Sequence, residues 1–321
     1  MALILVGVGV IAWLIHEVGP GAVWATFRRL GWRLAVLIVF PFSLAVVLDT
    51  LGWGVLLPAH RVPFGLLLRA RLAGEAVNLT TPTASVGGEP LKAYLLRPGI
   101  PLAEGLASVV VDKTTVIVGQ VLLLIVGIAI TATWLGPSSA MVVTMTTLLA
   151  IQIVCIGGFV AVQTLGVFGG GGRILGRIGV GPAERYQGEL DNLDRWLRRF
   201  YRERRSRLAA SVVLHGLAWA TGGIEIYLVL VFLGLDGSPM VSLAADAFGA
   251  AVKFASFMIP ASLGALEGGY VAFFEAFGLA GAVGLSYTLI RRLREAAWAA
   301  IGYAWLGWHR AHEPGGGVGG A

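Results

Sequence analysis

Two segments of the chain carry the residue types that chemistry inside a membrane needs. The first reads GEAVNLTTPTASVGGEPLKAYLL, from Gly74 to Leu96, and the second VKFASFMIPASLGALEGGY, from Val252 to Tyr270. Each has a proline followed seven residues later by a glutamate, Pro82 to Glu89 and Pro260 to Glu267. Seven residues before the proline stands another charge, Glu75 in one copy and Lys253 in the other. Charge within a bilayer is costly, so an ionisable residue there points to function. Two glycine- and proline-interrupted elements in the two halves of a membrane protein point to a transport site.

In the first segment Pro82 interrupts a helix and Gly87-Gly88 permit backbone shapes closed to other residues. Pro90 suits the start of a new helix reaching about Leu96. The segment therefore reads helix, break, helix. Free N–H groups around Gly87, Gly88 and Glu89 would favour an anion such as a lipid phosphate. Lys92, one turn on, would pair with that phosphate or with Glu89. The alternative is a structural kink with Glu89 and Lys92 as a local ion pair. Asn78-Leu79-Thr80 matches a glycosylation sequon by accident, since it lies in or near the membrane. The second segment is less polar. Its special positions are Lys253, Ser256, Pro260, Ser262 and Glu267, and Glu267 is expected to meet Glu89 or Lys92.

Arg291, Arg292, Arg294 and Glu295 stand in the middle of an otherwise apolar stretch. A central arginine costs about 2.5 to 3.5 kcal/mol on insertion scales. These arginines must face a cavity, partner acids (Glu267, Glu275 and Glu89 are candidates) or lipid phosphates. The alternative splits Val283–Trp308 into two short pieces with the arginines at a cytoplasmic edge. Asp112-Lys113 reads as a near-interface pair. Asp49, Glu225 and Asp246 are further intramembrane or interfacial acids without an assigned role.

The elements that must position these residues follow from composition. The chain is 57% hydrophobic and 13% charged, where a soluble domain carries roughly twice that charged fraction. The lone Cys155 excludes a disulfide framework and is expected to be a buried thiol. The net charge of +6 comes mostly from arginines between apolar spans. Topology and anionic headgroups explain it, and nucleic acid is not an expected partner. Stretches long enough to cross, about 20 residues, are Leu34–Leu57, Thr114–Leu135, Ser138–Leu165, Leu208–Leu235 and Val283–Trp308. Met1–Ile15 is short for a span and lacks the basic start of a signal peptide; a late start codon clipping the first helix is expected. Arg173–Arg207 holds ten arginines and five acids. Leu190, Leu193, Leu197, Phe200 and Tyr201 recur there at helical spacing, so an interfacial amphipathic helix in a cytoplasmic loop is expected. From that anchor the two interrupted elements enter from opposite faces, although Arg28, Arg29 and Arg33 then lie outside. Glu313–Ala321 reads as a disordered glycine-rich tail.

There is no HExxH, Walker loop, GxSxG elbow, HxxxxD acyltransferase signature or aspartate-rich prenyl motif. The run Gly74-Glu75-Ala76-Val77-Asn78, then Pro82, then Gly87-Gly88-Glu89-Pro90-Leu91-Lys92, resembles the signature of the flippase-like membrane region of lysylphosphatidylglycerol synthases and their stand-alone relatives. Pro260-Ala261-Ser262-Leu263-Gly264 with Glu267-Gly268 is similar to that family's second signature, with Ala265-Leu266 in place of a more glycine-rich run. Asp112-Lys113 and Arg291/Arg292 sit where the family has charged positions. The resemblance implies a polytopic inner-membrane protein that moves a lipid between leaflets. In fused members an aminoacyltransferase domain follows; this chain is expected to lack it, so lipid aminoacylation is not expected.

The expected fold is all-α: a polytopic membrane domain over residues 1–310 with a tail at 311–321. It has about six to eight spans or part-spans and two re-entrant helical hairpins in a candidate inverted repeat. The expected function is translocation of an anionic, modified or polyprenyl/hopanoid-type lipid through a polar groove, with no enzyme activity, cofactor or metal. The groove residues are Glu75, Asn78, Pro82, Gly87, Gly88, Glu89, Lys92, Lys253, Pro260, Glu267, Arg291 and Arg292. Movement is downhill or driven by an ion gradient. The partners are membrane lipids, with envelope-lipid biosynthesis proteins and a second copy of the chain as candidates. The rivals are a lipid headgroup transferase and a scaffold.

Overall fold

The structure, a computed structural model, describes residues 16, 20–57, 62–81, 87–165 and 183–312. Among them are eleven α-helices and no strand. The order is α1 Pro20–Leu30, α2 Arg33–Gly54, α3 Phe64–Thr80, α4 Glu89–Leu95, α5 Leu102–Leu135 and α6 Ala140–Leu165. It continues with α7 Ala183–Glu203, α8 Arg205–Phe232, α9 Pro239–Ala255, a 3-10 turn at Pro260–Ser262, α10 Ala265–Ala276 and α11 Gly281–His312. Four of these, α2, α5, α6 and α8, are long and apolar enough to cross a membrane. The predicted segment ends Met1–Ile15 and Glu313–Ala321, and Pro82, lie outside the described residues.

Helix boundaries follow local chemistry. Pro63 precedes α3, and Pro239 opens α9 behind Ser238, whose hydroxyl accepts the Val241 N–H at 3.4 Å. Helix α5 begins behind Pro101, twelve residues before the expected start at Thr114. Nothing in 102–113 breaks a helix except one glycine, Gly105, so the span runs on. Asp112 and Lys113 therefore lie inside the helix instead of opening it. Helix α11 is one continuous element of 32 residues, which rules out two short pieces.

Both interrupted elements have the expected order of helix, break and helix. Their first helices, α3 and α9, each hold 17 residues, about 25 Å against a hydrocarbon core of about 30 Å. The 3-10 turn of the second element packs on α3 of the first, and α11 packs on both α3 and α10.

The outward surface is apolar. On α6, Val154 is 74% and Leu165 is 73% exposed, and Cys155 is exposed between such residues. The expectation of a buried thiol fails because an apolar run does not say which face turns to lipid. The Arg173–Arg207 region yields α7, whose Leu197 and Phe200 are buried as its apolar spacing requires. Burial pushes the Tyr201 phenol above its usual range, and its O–H donates to Gln163 at 2.8 Å. Arg33 donates to the last carbonyl of α8, Phe232 O, at 3.1 Å, which is a favourable place for a cation.

Two apolar clusters flank a charged layer. Along α2 the order is Leu37 in one cluster, Asp49, then Trp53 in the other. Along α5 it is Val111, Asp112, then Leu124. The charges thus occupy a level between two apolar packings, within the helices read as spans.

Candidate functional site

The charged layer surrounds a cavity of about 290 Å³. Its wall takes residues from α2, α3, α4, α5, α8, α9 and α11. Twelve of them are charged. The acids are Asp49, Glu75, Asp112, Glu225, Asp246 and Glu295; the bases are Arg71, Lys92, Lys113, Lys253, Arg291 and Arg294. Six against six leaves the wall close to neutral. Apolar side chains such as Phe42, Val116 and Trp219 fill the space between them.

Three ionic groups hold this wall. In the first, Lys92 Nζ lies 2.6 Å from Glu75 and 3.2 Å from Glu89, and Lys113 reaches Glu89 at 3.1 Å. Asn78 bridges, donating to Glu89 at 3.0 Å and accepting the Gly88 N–H at 2.7 Å. Lys92 is only 2% exposed. Its burial depends on glycines at the crossing of α3 and α4. A Cβ on Gly74 would sit 2.6 Å from Lys92 Cε, and one on Gly88 would overlap the Gly74 backbone.

The second group joins four helices. Arg71 of α3 lies 3.3 Å from Asp49 of α2 and 3.5 Å from Asp112 of α5. His215 of α8 closes the ring, with Nδ1 2.6 Å from Asp49 and Nε2 2.9 Å from Asp112.

The third group ties α11 to the second break. Arg292 Nε lies 2.9 Å from Glu267, and its Nη1 donates to the Ala261 carbonyl at 2.7 Å and to Glu295 at 3.1 Å. Glu267 also accepts the Gly264 N–H at 2.8 Å. Ala261 and Ser262 hold φ of 51° and 53°, a left-handed conformation that costs a non-glycine residue about 1 kcal/mol or more. Arg292 and Glu267 clamp that turn. Arg291 pairs with Glu295 at 3.3 Å and donates to Tyr270 at 3.3 Å. Arg294 pairs with Glu225 and stacks over the Phe42 ring at 4.4 Å.

The expected groove residues divide accordingly. Glu75, Lys92, Lys253 and Arg291 line the cavity. Asn78, Gly88 and Glu89 support it from behind, as does Arg292 through Glu295. Gly87 stands just before α4, and Pro260 opens the 3-10 turn. Glu267 does not meet Glu89 or Lys92; its partners are Arg292 and the Gly264 N–H. At the start of α4, where an anion site is expected, Asn78 takes the Gly88 N–H.

Asp112 and Lys113 do not pair with each other. They point to different groups, Asp112 to Arg71 and His215, Lys113 to Glu89. Sequence reasoning missed Arg71 and His215. The spacing of Arg71, Glu75 and Asn78 at i, i+4 and i+7 was the available signal for one polar face. Among the described residues no group of three or more His, Cys, Asp or Glu is placed to hold a metal ion.

Comparison with known proteins places this geometry. Residues 1–302 match the family described as the lysylphosphatidylglycerol synthase TM region. The chain belongs to that family. The matched span contains every cavity-lining residue, the last being Ala299. A UPF0104 membrane protein of Methanothermobacter thermautotrophicus is 26% identical over 313 residues, covering 91% of this chain and 89% of the relative. No solved structure matches. The family is thus one of multi-pass membrane regions with a lipid-related role, and of the motif residues that suggested it Glu75, Ala76, Lys92, Asp112, Lys113 and Arg291 line the charged cavity.

Proposed function

We propose that the protein moves a membrane lipid between leaflets, its headgroup entering the charged cavity while the acyl chains stay in the bilayer. The observation that carries this reading is the cavity itself. Six acids and six bases converge on one space at a level between two apolar clusters. Buried charges on this scale are retained where they serve a pathway. The volume, about 290 Å³, falls near the lower end of small-molecule sites, about 300–1,000 Å³, and suits a headgroup more than a whole lipid. In this reading the two interrupted elements are re-entrant hairpins entered from opposite faces. The α7 loop lies on the cytoplasmic side of the inner membrane, where its arginines favour anionic headgroups.

The reading is tested with purified protein in proteoliposomes carrying acyl-labelled lipids, scored for sidedness and for composition. Transbilayer movement that depends on protein, with each lipid recovered chemically unchanged, is the expected result. A change in lipid composition would replace the translocator with a headgroup-modifying enzyme.

A further inference from the structure

Among the described residues most charges on the cavity wall have a close ion-pair partner within the protein; Lys253 has none and Asp246 has only a distant one. Lys253 has neither a hydrogen bond nor an ion pair among the described residues, although it lines the cavity and is half-buried. Asp246 also lines it and is 3% exposed. Its Oδ1 is 4.0 Å from Arg291, at the limit of an ion pair, and its Oδ2 is buried with no hydrogen-bond partner. Leaving a buried carboxylate oxygen unsatisfied is costly. The two residues sit seven apart on α9, which is two turns, about 10.5 Å, along one helix face. One wall of the cavity therefore offers an ammonium with no direct partner and a carboxylate oxygen with no hydrogen-bond donor.

We propose that Lys253 and Asp246 are the two poles of a headgroup site for a zwitterionic phospholipid bearing a primary ammonium, with Lys253 on the phosphate and Asp246 on the ammonium. The inference rests on the reading of the cavity as a headgroup site and deepens it. A purely anionic headgroup would satisfy Lys253 and leave the Asp246 oxygen unpaired. A quaternary ammonium would supply charge but no N–H, and Asp246 Oδ2 lacks a hydrogen-bond donor. A primary ammonium supplies both charge and N–H. Gly222 of α8 makes room for this carboxylate, since a Cβ there would overlap Asp246.

The test uses phosphatidylcholine proteoliposomes with trace acyl-labelled phosphatidylethanolamine, N-acetyl-phosphatidylethanolamine or phosphatidylglycerol. The wild type is expected to move the free-amine probe faster than the N-acetyl probe by about tenfold or more, the factor expected for one hydrogen bond to a charged group. Asp246→Asn keeps the shape and is expected to bring that ratio close to one. Gly222→Ala is expected to do the same without changing a charge, by displacing the carboxylate. Lys253→Gln is expected to slow the phosphate-bearing probes alike and leave the ratio in place. Equal rates for all probes in the wild type, or an amine preference that survives Asp246→Asn, would overturn the assignment while lipid movement itself stands. A folded wild type that moves no probe would overturn the assignment and the translocator reading together.

Discussion

Arg71→Met is expected to lower the stability of the membrane core by about 3–5 kcal/mol, the cost of removing one partner from a buried ion pair. Arg71 is 6% exposed and holds two carboxylates on different helices, Asp49 and Asp112. Without it, a buried Asp112 and a half-buried Asp49 remain with His215 between them. Arg71→Lys is expected to recover less than half of the loss. The guanidinium reaches Asp49 with Nη2 and Asp112 with Nη1, whereas an ammonium is a single point charge without that fork. The measurement is the thermal midpoint of purified protein in detergent, with the double variant Asp49→Asn/Asp112→Asn in the Arg71→Met background. Removing the acids should restore much of the midpoint. A midpoint for Arg71→Met within error of wild type would show that the four-helix ring does not support the fold.

Arg292→Met is expected to have a comparable effect by a different route. Glu267 is fully buried, and Arg292 is its only cationic partner among the described residues. The same guanidinium donates to the Ala261 carbonyl in a turn with two left-handed non-glycine residues. The substitution therefore strands a buried charge and releases a strained turn together. About 3–5 kcal/mol is expected from the stranded charge. Glu267→Gln in the same chain should recover most of that, because the amide oxygen can still accept the Gly264 N–H. Hydrogen exchange at residues 259–265 separates the two parts. The single variant should lose protection there, and the double variant should regain stability while the turn stays less protected.

Much of the fold was legible because long apolar runs and prolines act locally. The spans from Arg33, Ala140 and Arg205 and both helix-break-helix elements follow from runs of apolar residues and from the prolines and glycines between them. What was not legible depends on how each helix is rotated against its neighbours. Asp49 and His215 are 166 residues apart and meet only because α2 and α8 pack together. The side of α6 that carries Cys155 could not be chosen, since that helix is apolar all round. The pairing of Glu267 was misjudged for a local reason. The carboxylate stands three residues after Gly264, at the spacing that returns a side chain to the N-terminal N–H of its own helix. A matching proline-to-glutamate interval in the two elements therefore hides two different jobs. Glu89 gathers two lysines beside the cavity, while Glu267 locks a turn away from it.

The claim at the centre is that a headgroup passes through the charged cavity, and blocking that space without altering a charge tests it most directly. Ala45 of α2 lines the cavity and is partly exposed. An indole in its place would fill much of the 290 Å³. Transbilayer movement of labelled phospholipid should be measured in proteoliposomes of wild type and Ala45→Trp, at matched reconstitution and with thermal midpoints recorded. The account predicts loss of most protein-dependent movement in a variant that stays folded. Wild-type rates from a folded Ala45→Trp protein would contradict it and place the lipid path elsewhere on the molecule.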